Sequence, residues 1–494
     1  MVTTVFTNGR ILCPDSSGCF VSTLVVEDDN VAHVGWENDE AVVQTLATAL
    51  KVDLKNRMVL PGFIDSHVHI LNFGMSLQKL DLLPCKSLAD IQNAIISYAA
   101  THPSDPRILC RGWVQSVTDG QALATDLDDL DSRPIYIEAL DLHSTWCNNA
   151  ALRELDAHSK PNPAGGKVHR CHSGLPSGLL EEAAQFYVVW PFLDQVTSMK
   201  SKLTAIDAAI GAYRRAGYTG LVDMAMGESK RAALNVYRAQ RGEIPMHMAA
   251  HRLVPYSECE ANICTQIDRA ITIQQSFNRK TSPEFCINGI KLICDGTVDG
   301  CTAGLHQPYG GCSNIVDPIW PADALTTAIR SATDAGLQLG QLGIVASVQP
   351  VHLDPATFGA WPEMLVIHRC KRAFAYQEFV DGGAHMTFGT DALTAEHHAL
   401  PNVYVATTRR SSIDPSSQET VNLSLLCRSQ SLYQQLLWRR HMRLFILTGS
   451  LRPGYTANFV VLDMVWTVEP LLEARVCQTW YKGKKVFDEE TDGF

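Results

Sequence analysis

Two histidines and an aspartate stand at alternate positions early in the chain: Asp65, His67 and His69. Residues 63–70 alternate apolar and polar side chains, which is the period of a β-strand, so these three residues share one face. Two imidazoles one residue apart can converge on one metal ion, and imidazole suits zinc, iron or nickel. The alternative is a surface strand whose histidines bind nothing. The apolar frame and the preceding Pro61-Gly62 turn favour the metal site.

The strand that carries these histidines needs a sheet to position it. From about residue 202, helix-like and strand-like patterns alternate along the chain, which predicts a parallel α/β sheet. The helical patterns are 203–216 and 231–240, and the strand patterns are 219–224 and 246–254. For a chain of this length with metal ligands at a strand end, a (β/α)8 TIM-like barrel fits best.

Both ends of the chain show short β signals separated by turns. Asn8-Gly9 breaks the first segment, and Lys482-Gly483 lies at the centre of a hairpin pattern near the other end. Each end offers too few strands to bury a face alone. We therefore expect the two ends to pair into one small β domain.

A lysine and a second aspartate add chemistry farther along the chain. Lys291 lies in the middle of an apolar strand pattern, where a cation is costly to bury unless it has a partner or loses its charge. One alternative is a lysine that reaches solvent with Asp295 as its ion partner. Asp391 ends the strand pattern 384–391 just before a loop. A carboxylate held against a cation keeps a low pKa, yet it can accept a proton. A turn-forming aspartate is the plain alternative.

Composition limits the class of protein. The chain has 494 residues, 46% hydrophobic and 19% charged, as expected of a soluble globular protein. Its net charge of -11 argues against nucleic-acid or anionic-membrane partners. We see no signal peptide and no apolar run of transmembrane length. The 15 cysteines are scattered without a Cys-x-x-Cys pair, which predicts reduced thiols and a cytoplasmic location.

Four motifs together resemble the amidohydrolase superfamily, and within it the amidohydrolase 3 family, which includes enzymes like N-substituted formamide deformylase. They are Val-Leu-Pro-Gly-Phe-Ile-Asp-Ser-His-Val-His at 59–69, the block around Lys291, Gly-Thr-Asp at 389–391, and Gly-Ser-Leu-Arg-Pro-Gly at 449–454. The resemblance implies a β-sandwich domain from residues 1–60 and 448–494. It also implies a barrel at 61–447, with a large insertion at about 72–205.

The resemblance also implies a metal-dependent amidohydrolase that cleaves a non-peptide, amide-type carbon–nitrogen bond with a metal-activated water. The implied cofactor is Zn²⁺, as one or two ions, with another divalent metal left open. The expected partner is a small-molecule amide-type substrate, without nucleic acid or membrane, and a homodimer is an option. The expected metal ligands are His67, His69, Lys291 and Asp391.

Individual roles follow from the same resemblance. In the superfamily a lysine at the end of strand four can be carboxylated and bridge two metals, which is the role expected of Lys291. Asp391 is the expected catalytic residue, taking a proton from the attacking water. His143, in a block of the insertion, and Asp295 are the expected substrate-binding residues. For His143, satisfaction by local packing is the alternative.

The chain departs from the family pattern at two places. The family's histidines from strands five and six are missing, because residues 334–341 run directly into a segment that resembles strand seven at 342–350. Going by the usual size of βα units, we expect about forty residues, or two such units, to be missing relative to the family. The stretch 425–447 replaces an Ala-rich helix and reads like a shifted frame. A second functional hypothesis follows: a catalytically impaired or non-catalytic member, from a deletion variant or a gene-model artefact.

Overall fold

The computed structural model of the protein describes residues 2–13, 19–163, 165–298, 301–310, 315–337, 345–357, 361–370, 373–417, 450–467 and 469–492. Two compact units are distinguished. The first comprises Met1–Ile70, Ile210–Arg231 and Arg238–Phe494, and the second comprises Leu71–Ala209 and Ala232–Tyr237. The predicted junction near Gly340 and the odd stretch 425–447 lie outside the described residues.

The first segment of the chain is mostly β-structure with one short helix. Its elements are β1 Thr3–Thr7, β2 Arg10–Leu12, β3 Phe20–Val21, β4 Thr23–Glu27, β5 Asn30–Gly35, α1 Glu40–Leu46, β6 Leu50–Asp53 and β7 Met58–Pro61. Four of these strands form a sheet in the order β5-β4-β1-β6. The sheet is mixed, because β1 pairs antiparallel with β4 and parallel with β6.

The next segment begins with the histidine-bearing strand and continues into the second unit. Its elements are β8 Phe63–Val68, α2 Ile70–Ser76, β9 Leu80–Asp81, α3 Leu88–Thr101, β10 Ile108–Trp113, α4 Thr125–Asp128, β11 Ile135–Ala139, β12 Ser144–Cys147, α5 Asn149–Glu154, β13 Gly166–Arg170, β14 Pro176–Glu182 and α6 Trp190–Val196. Six of them form a mixed sheet in the order β13-β14-β12-β11-β10-β9. Helix α3 starts where the Ser87 side chain accepts a hydrogen bond from the Asp90 N–H, a common N-terminal cap.

Strand and helix then alternate, as the sequence predicted. The elements are α7 Met199–Arg215, β15 Tyr218–Met226, α8 Glu228–Arg241, β16 His247–Leu253, α9 Glu260–Ser276, β17 Phe285–Lys291, α10 Ala322–Asp334, β18 Val345–Val348, α11 Trp361–Leu365, α12 Ile367–Cys370, α13 Tyr376–Asp381, β19 His385–Phe388 and α14 Ala399–Thr408. Lys291 is the last residue of β17, so it lies at a strand end rather than mid-strand. None of the described helices combines the length and apolarity needed to cross a membrane.

Six strands, β8 and β15 to β19, pair in parallel with their neighbours. One sheet has the order β17-β16-β15-β8, and β18 pairs with β19 in a second. The end of β8 meets the segment after β19, where the Asp391 N–H donates to the His67 carbonyl at 2.8 Å. Ile290 of β17 packs with Ile263 of α9 and Ala328 of α10, which gives this sheet a buried outer face. Among the described residues, β17 pairs only with β16 and β18 only with β19.

The last described strands return to the start of the chain. They are β20 Phe459–Asp463, β21 Arg475–Tyr481 and β22 Lys484–Asp488. A six-stranded sheet has the order β22-β21-β20-β7-β2-β3, in which β20 runs antiparallel to β7. Lys482 and Gly483 join β21 to β22 with φ values of 51° and 66°, the left-handed pair that favours a two-residue hairpin.

We expect Phe459→Ala to lower the free energy of unfolding by about 3–5 kcal/mol, the usual effect of removing a fully buried phenylalanine. Phe459 is 0% exposed, and its ring lies 5.1 Å from Phe6 and 5.5 Å from Trp480. Urea denaturation measures the change. Val465→Ala is the matched control, because Val465 is 60% exposed. An unfolding curve for Phe459→Ala that superimposes on the control would contradict the described packing.

Candidate metal centre

Strand β8 delivers the two histidines. His67 is the second-last residue of β8, and His69 follows the strand directly before α2 begins at Ile70. Their side chains are 14% and 22% exposed, and their ring centroids lie 5.4 Å apart at 80°. Both rings are therefore held at the carboxyl end of a parallel strand, where α/β proteins place their chemistry.

Asp391 lies in the segment that follows β19, and it comes close to both histidines. Its Oδ1 lies 3.7 Å from His67 Nε2 and 3.3 Å from His69 Nε2. One ligand atom from each of the three residues lies within 4.8 Å of the others. Of the residues that the structure describes, this is the one group of three or more His, Cys, Asp or Glu side chains that can hold a metal ion. The structure thus brings together three of the four predicted ligands.

The protonation states at this cluster suit a cation. Burial lowers the pKa of His67 to about 4, although the nearby Asp391 charge opposes this. Burial raises the pKa of Asp391, but hydrogen bonding from His69 and the charges of both histidines outweigh it and hold that pKa well below its usual range. His67 is therefore neutral and Asp391 ionised near pH 7. These are the forms of imidazole and carboxylate that bind metals.

Asp65 fixes the end of β8 against the end of β19. Its Oδ1 accepts the N–H groups of His67 and Thr390, each at 3.0 Å, and its Oδ2 accepts the Thr390 hydroxyl at 2.6 Å. The carboxyl group is 1% exposed, and burial raises its pKa to about 7 against these hydrogen bonds. The strand pattern placed Asp65 on the same face as the histidines, but it did not reveal that Asp65 links two segments. The sequence signal for this link was Thr390 in the Gly-Thr-Asp motif, since it is a donor to Asp65.

Gln349 is a further residue that the sequence reasoning did not select. It follows β18, and its amide Nε2 lies 2.9 Å from His67 Nδ1. Nearby, the buried Asn402 accepts the Val351 N–H at 2.8 Å and donates to the Gly389 carbonyl at 2.9 Å. The available signal was its place in the segment 342–350, which resembles strand seven of the family.

Lys291 lies near the cluster without joining it. Burial lowers the pKa of its amine, while the Asp391 charge opposes the change. Within the described ranges, no carboxylate lies at ion-pair distance from this amine. Asp295 instead accepts the Gly304 N–H at 2.9 Å, so the predicted alternative of a Lys291–Asp295 pair is not seen. His251 is a buried histidine that the sequence analysis did not single out. Burial, and to a smaller extent the nearby Lys291 charge, lowers its pKa to about 4.

Three further histidines are His143, His352 and His385. His143 lies in the second unit, where its Nδ1 is 2.9 Å from Glu182 Oε2 and its ring contacts Phe186 edge-on at 5.7 Å. Its role in substrate binding stays a prediction. His352 Nε2 lies 2.9 Å from the Thr394 hydroxyl, and its charge helps lower the pKa of Asp391. The side chain of His385 lies outside the described part.

Sequence comparisons agree with the motifs. The family model described as "Amidohydrolase family" matches residues 51–344. Protein LONG AFTER FAR-RED 3 of Arabidopsis thaliana is 23% identical over 556 aligned positions, which cover 97% of this chain and 91% of that protein. N-substituted formamide deformylase of Arthrobacter pascens is 27% identical over 184 positions, covering 36% of this chain and 34% of that enzyme.

A solved structure shows the fold. An uncharacterized metal-dependent hydrolase from Pyrococcus horikoshii OT3 superimposes with a TM-score of 0.74 and covers 94% of this chain and 98% of its own. The two sequences are 20% identical. The described elements therefore have the α/β fold of that hydrolase.

We expect Gly389→Ala to weaken metal binding strongly, because an added Cβ would lie 2.4 Å from His67 Cβ and 2.6 Å from its N atom. The end of β8 would have to move away from β19, separating His67 from Asp391. Isothermal titration with Zn²⁺ measures the loss. Gly211→Ala in α7 is the control, since its added Cβ meets no atom nearer than 3.5 Å. Equal affinities in the two variants would show that the close approach does not shape the site.

Proposed function

Because the chain belongs to the amidohydrolase family, metal-dependent hydrolases of carbon–nitrogen bonds other than peptide bonds, we propose that it is a zinc-dependent amidohydrolase. The proposed substrate is a small molecule with an amide-type bond. One observation carries the proposal: two imidazoles from β8 and a carboxylate that follows β19 point their ligand atoms at one place.

The residues of this cluster fit a catalytic zinc ion. Two histidines and one carboxylate are a known three-ligand set, which leaves a fourth position for water or substrate. His67, His69 and Asp391 would hold the ion. The Nε2 atoms of both histidines face Asp391 Oδ1, so a cation between them would meet three ligand atoms. Bound there, a divalent ion supplies a Lewis acid that polarises a carbonyl and lowers the pKa of water.

Asp391 is the proposed proton carrier. It is ionised near pH 7, so it can accept a proton from the attacking water and pass it to the departing nitrogen. Its N–H donates to the His67 carbonyl, and its backbone, with a φ of 53°, lies in the left-handed region that aspartate tolerates. This backbone geometry keeps the carboxylate beside the two rings.

Lys291 is proposed as a further metal ligand beside these three residues. Its lowered pKa increases the fraction of neutral amine, which is the form that can add to carbon dioxide and release a proton to give a carbamate. The carbamate anion would then suit a second metal ion. We keep His143 and Asp295 as proposed substrate contacts. Asp295 braces the loop after β17 through Gly304, which places it on a segment that follows a strand end.

The substrate class follows from the reaction and from one relative. The partial match to an N-substituted formamide deformylase supports N-formyl and other N-acyl amides as first candidates. Specificity in such folds depends on loops rather than on the metal ligands, so the family alone does not select one amide.

A specific observation favours the second hypothesis, an impaired or non-catalytic member. The outer edges of β17 and β18 have no strand partner among the described residues, as expected of a barrel that lacks strands five and six. The alignment with the plant relative is longer than this whole chain, so that protein carries segments absent here. The family match also ends at residue 344, close to the proposed deletion. We propose that the six parallel strands are the remainder of a (β/α)8 barrel, beside a β-sandwich built from both chain ends.

A comparison of the unchanged chain with a repaired chain distinguishes the two hypotheses. For the unchanged chain we expect weak zinc binding and little hydrolysis, because a metal with few protein ligands is held loosely. Inserting two βα units with one histidine each after Gly340, and an Ala-rich helix in place of 425–447, should raise both zinc content and turnover. Zinc equivalents per chain, and rates on a panel of N-formyl and N-acyl amides, measure the change.

The outcomes of that comparison are distinct. Zinc and activity in the repaired chain alone support an amidohydrolase damaged by deletion. Zinc binding without activity in both chains supports the non-catalytic reading. Equal activity in both would contradict the deletion hypothesis and show that other residues, such as His352 or His385, complete the site.

In an active chain we expect Asp391→Asn to reduce kcat by about 10²- to 10⁴-fold, the usual contribution of a positioned general base. The amide keeps the shape of the carboxylate but cannot accept the proton. Steady-state kinetics on the best amide of the panel measure the effect. Asp268→Asn is the control, because Asp268 lies exposed on α9. Unchanged kcat in Asp391→Asn would exclude Asp391 as the base.

A further inference from the structure

Gln349 contacts the outer nitrogen of His67, the one that faces away from the proposed ion. His67 Nε2 points to Asp391 Oδ1 at 3.7 Å, whereas Nδ1 lies 2.9 Å from the Gln349 amide. These two residues are 282 positions apart, so the contact depends on the folded chain. A histidine that binds a metal through one nitrogen usually has its other nitrogen held by an acceptor that fixes the ring.

Three features fix this contact. Gly389 lies between β8 and the end of β18, and its lack of a side chain lets His67 pack directly against its backbone. The Ser66 and Ser347 hydroxyls form a second link between β8 and β18 at 2.8 Å. The buried Asn402 side chain holds both Val351 and Gly389. The Gln349 amide is thus on a braced segment.

We propose that Gln349 is the positioning residue of His67 and serves both of its tautomers, an inference that rests on the proposed metal site. An amide presents a donor and an acceptor that exchange places when its plane turns by half a rotation. As oriented, its N–H donates to Nδ1, which requires the His67 proton on Nε2. When Nε2 is a ligand, Nδ1 carries the proton and donates to the amide oxygen of Gln349.

Glutamine therefore differs from the carboxylate partners that many metal-binding histidines have. A carboxylate only accepts, so it would hold the proton on Nδ1 even without metal. An amide allows the ring to keep a hydrogen bond in both states. The consequence is a tautomer change in His67 on metal binding.

Zinc affinity tests the positioning role, measured by competition with a chromophoric chelator. We expect Gln349→Leu to weaken zinc binding by about 10- to 100-fold, as for other partners of ligand histidines. Gln349→Glu should bind zinc at least as tightly as the unchanged chain. Gln44→Leu is the matched control, because it makes the same substitution at an exposed glutamine of α1 that hydrogen-bonds Glu40, and it should bind zinc normally.

Nitrogen NMR of ¹⁵N-histidine-labelled chain tests the tautomer, with His67→Asn used to assign the signal. The unchanged chain should carry the proton on Nε2 without metal and on Nδ1 with zinc. Gln349→Glu should carry it on Nδ1 in both states.

Two results would overturn the inference. Normal zinc affinity in Gln349→Leu is one, and an equal loss in the Leu and Glu variants, which would indicate a role of shape alone, is the other. If the unchanged chain binds no zinc, that result counts against a working metal site in this chain and not against the role of Gln349. In that case the metal-free tautomers of the unchanged chain and Gln349→Glu still decide whether Gln349 sets the ring: different tautomers support it, and identical ones oppose it.

Discussion

A buried carboxylate holds the cluster of His67, His69 and Asp391 together. Asp65 accepts three hydrogen bonds, one from the His67 N–H and two from Thr390, and so ties the end of β8 to the residues after β19. Charged groups are costly to bury unless hydrogen bonds satisfy them, and here the donors come from the two segments that carry the ligands. The convergence of His67 and Asp391 depends on this tie.

The close approach of the two segments leaves no room for a side chain between them. Gly389 fits against the His67 backbone, and the next residues, Thr390 and Asp391, donate their N–H groups to Asp65 and to the His67 carbonyl. Asp391 adopts a left-handed backbone conformation at this point. Such strained positions concentrate at functional sites, where surrounding contacts over-determine them. Glycine, threonine and aspartate therefore each have a separate physical reason to be in this motif.

The sequence predicted what local patterns encode. Alternation identified β8, the change to helical spacing identified the βα succession, and Lys482-Gly483 identified the C-terminal hairpin. His67, His69 and Asp391 were found because each ends or follows a strand. The roles of Asp65 and Gln349 were not found, because side-chain hydrogen bonds between distant strands leave no trace in periodicity. In the sequence, Asp65 is only one polar residue of an alternating strand pattern. Its role depends on the hydrogen bonds from Thr390, which only the folded structure shows.

The order of residues in this cluster has a consequence for synthesis of the protein. Asp65 and Thr390 are 325 positions apart. At about 5–20 residues per second, a ribosome needs on the order of half a minute to add the intervening chain. During that interval His67 and His69 have emerged without the carboxylate that completes their cluster, and Asp65 has no Thr390 to satisfy it. A nascent chain therefore cannot assemble the three-residue cluster until the β19 segment has been translated, and an ion that needs all three side chains would bind only after that.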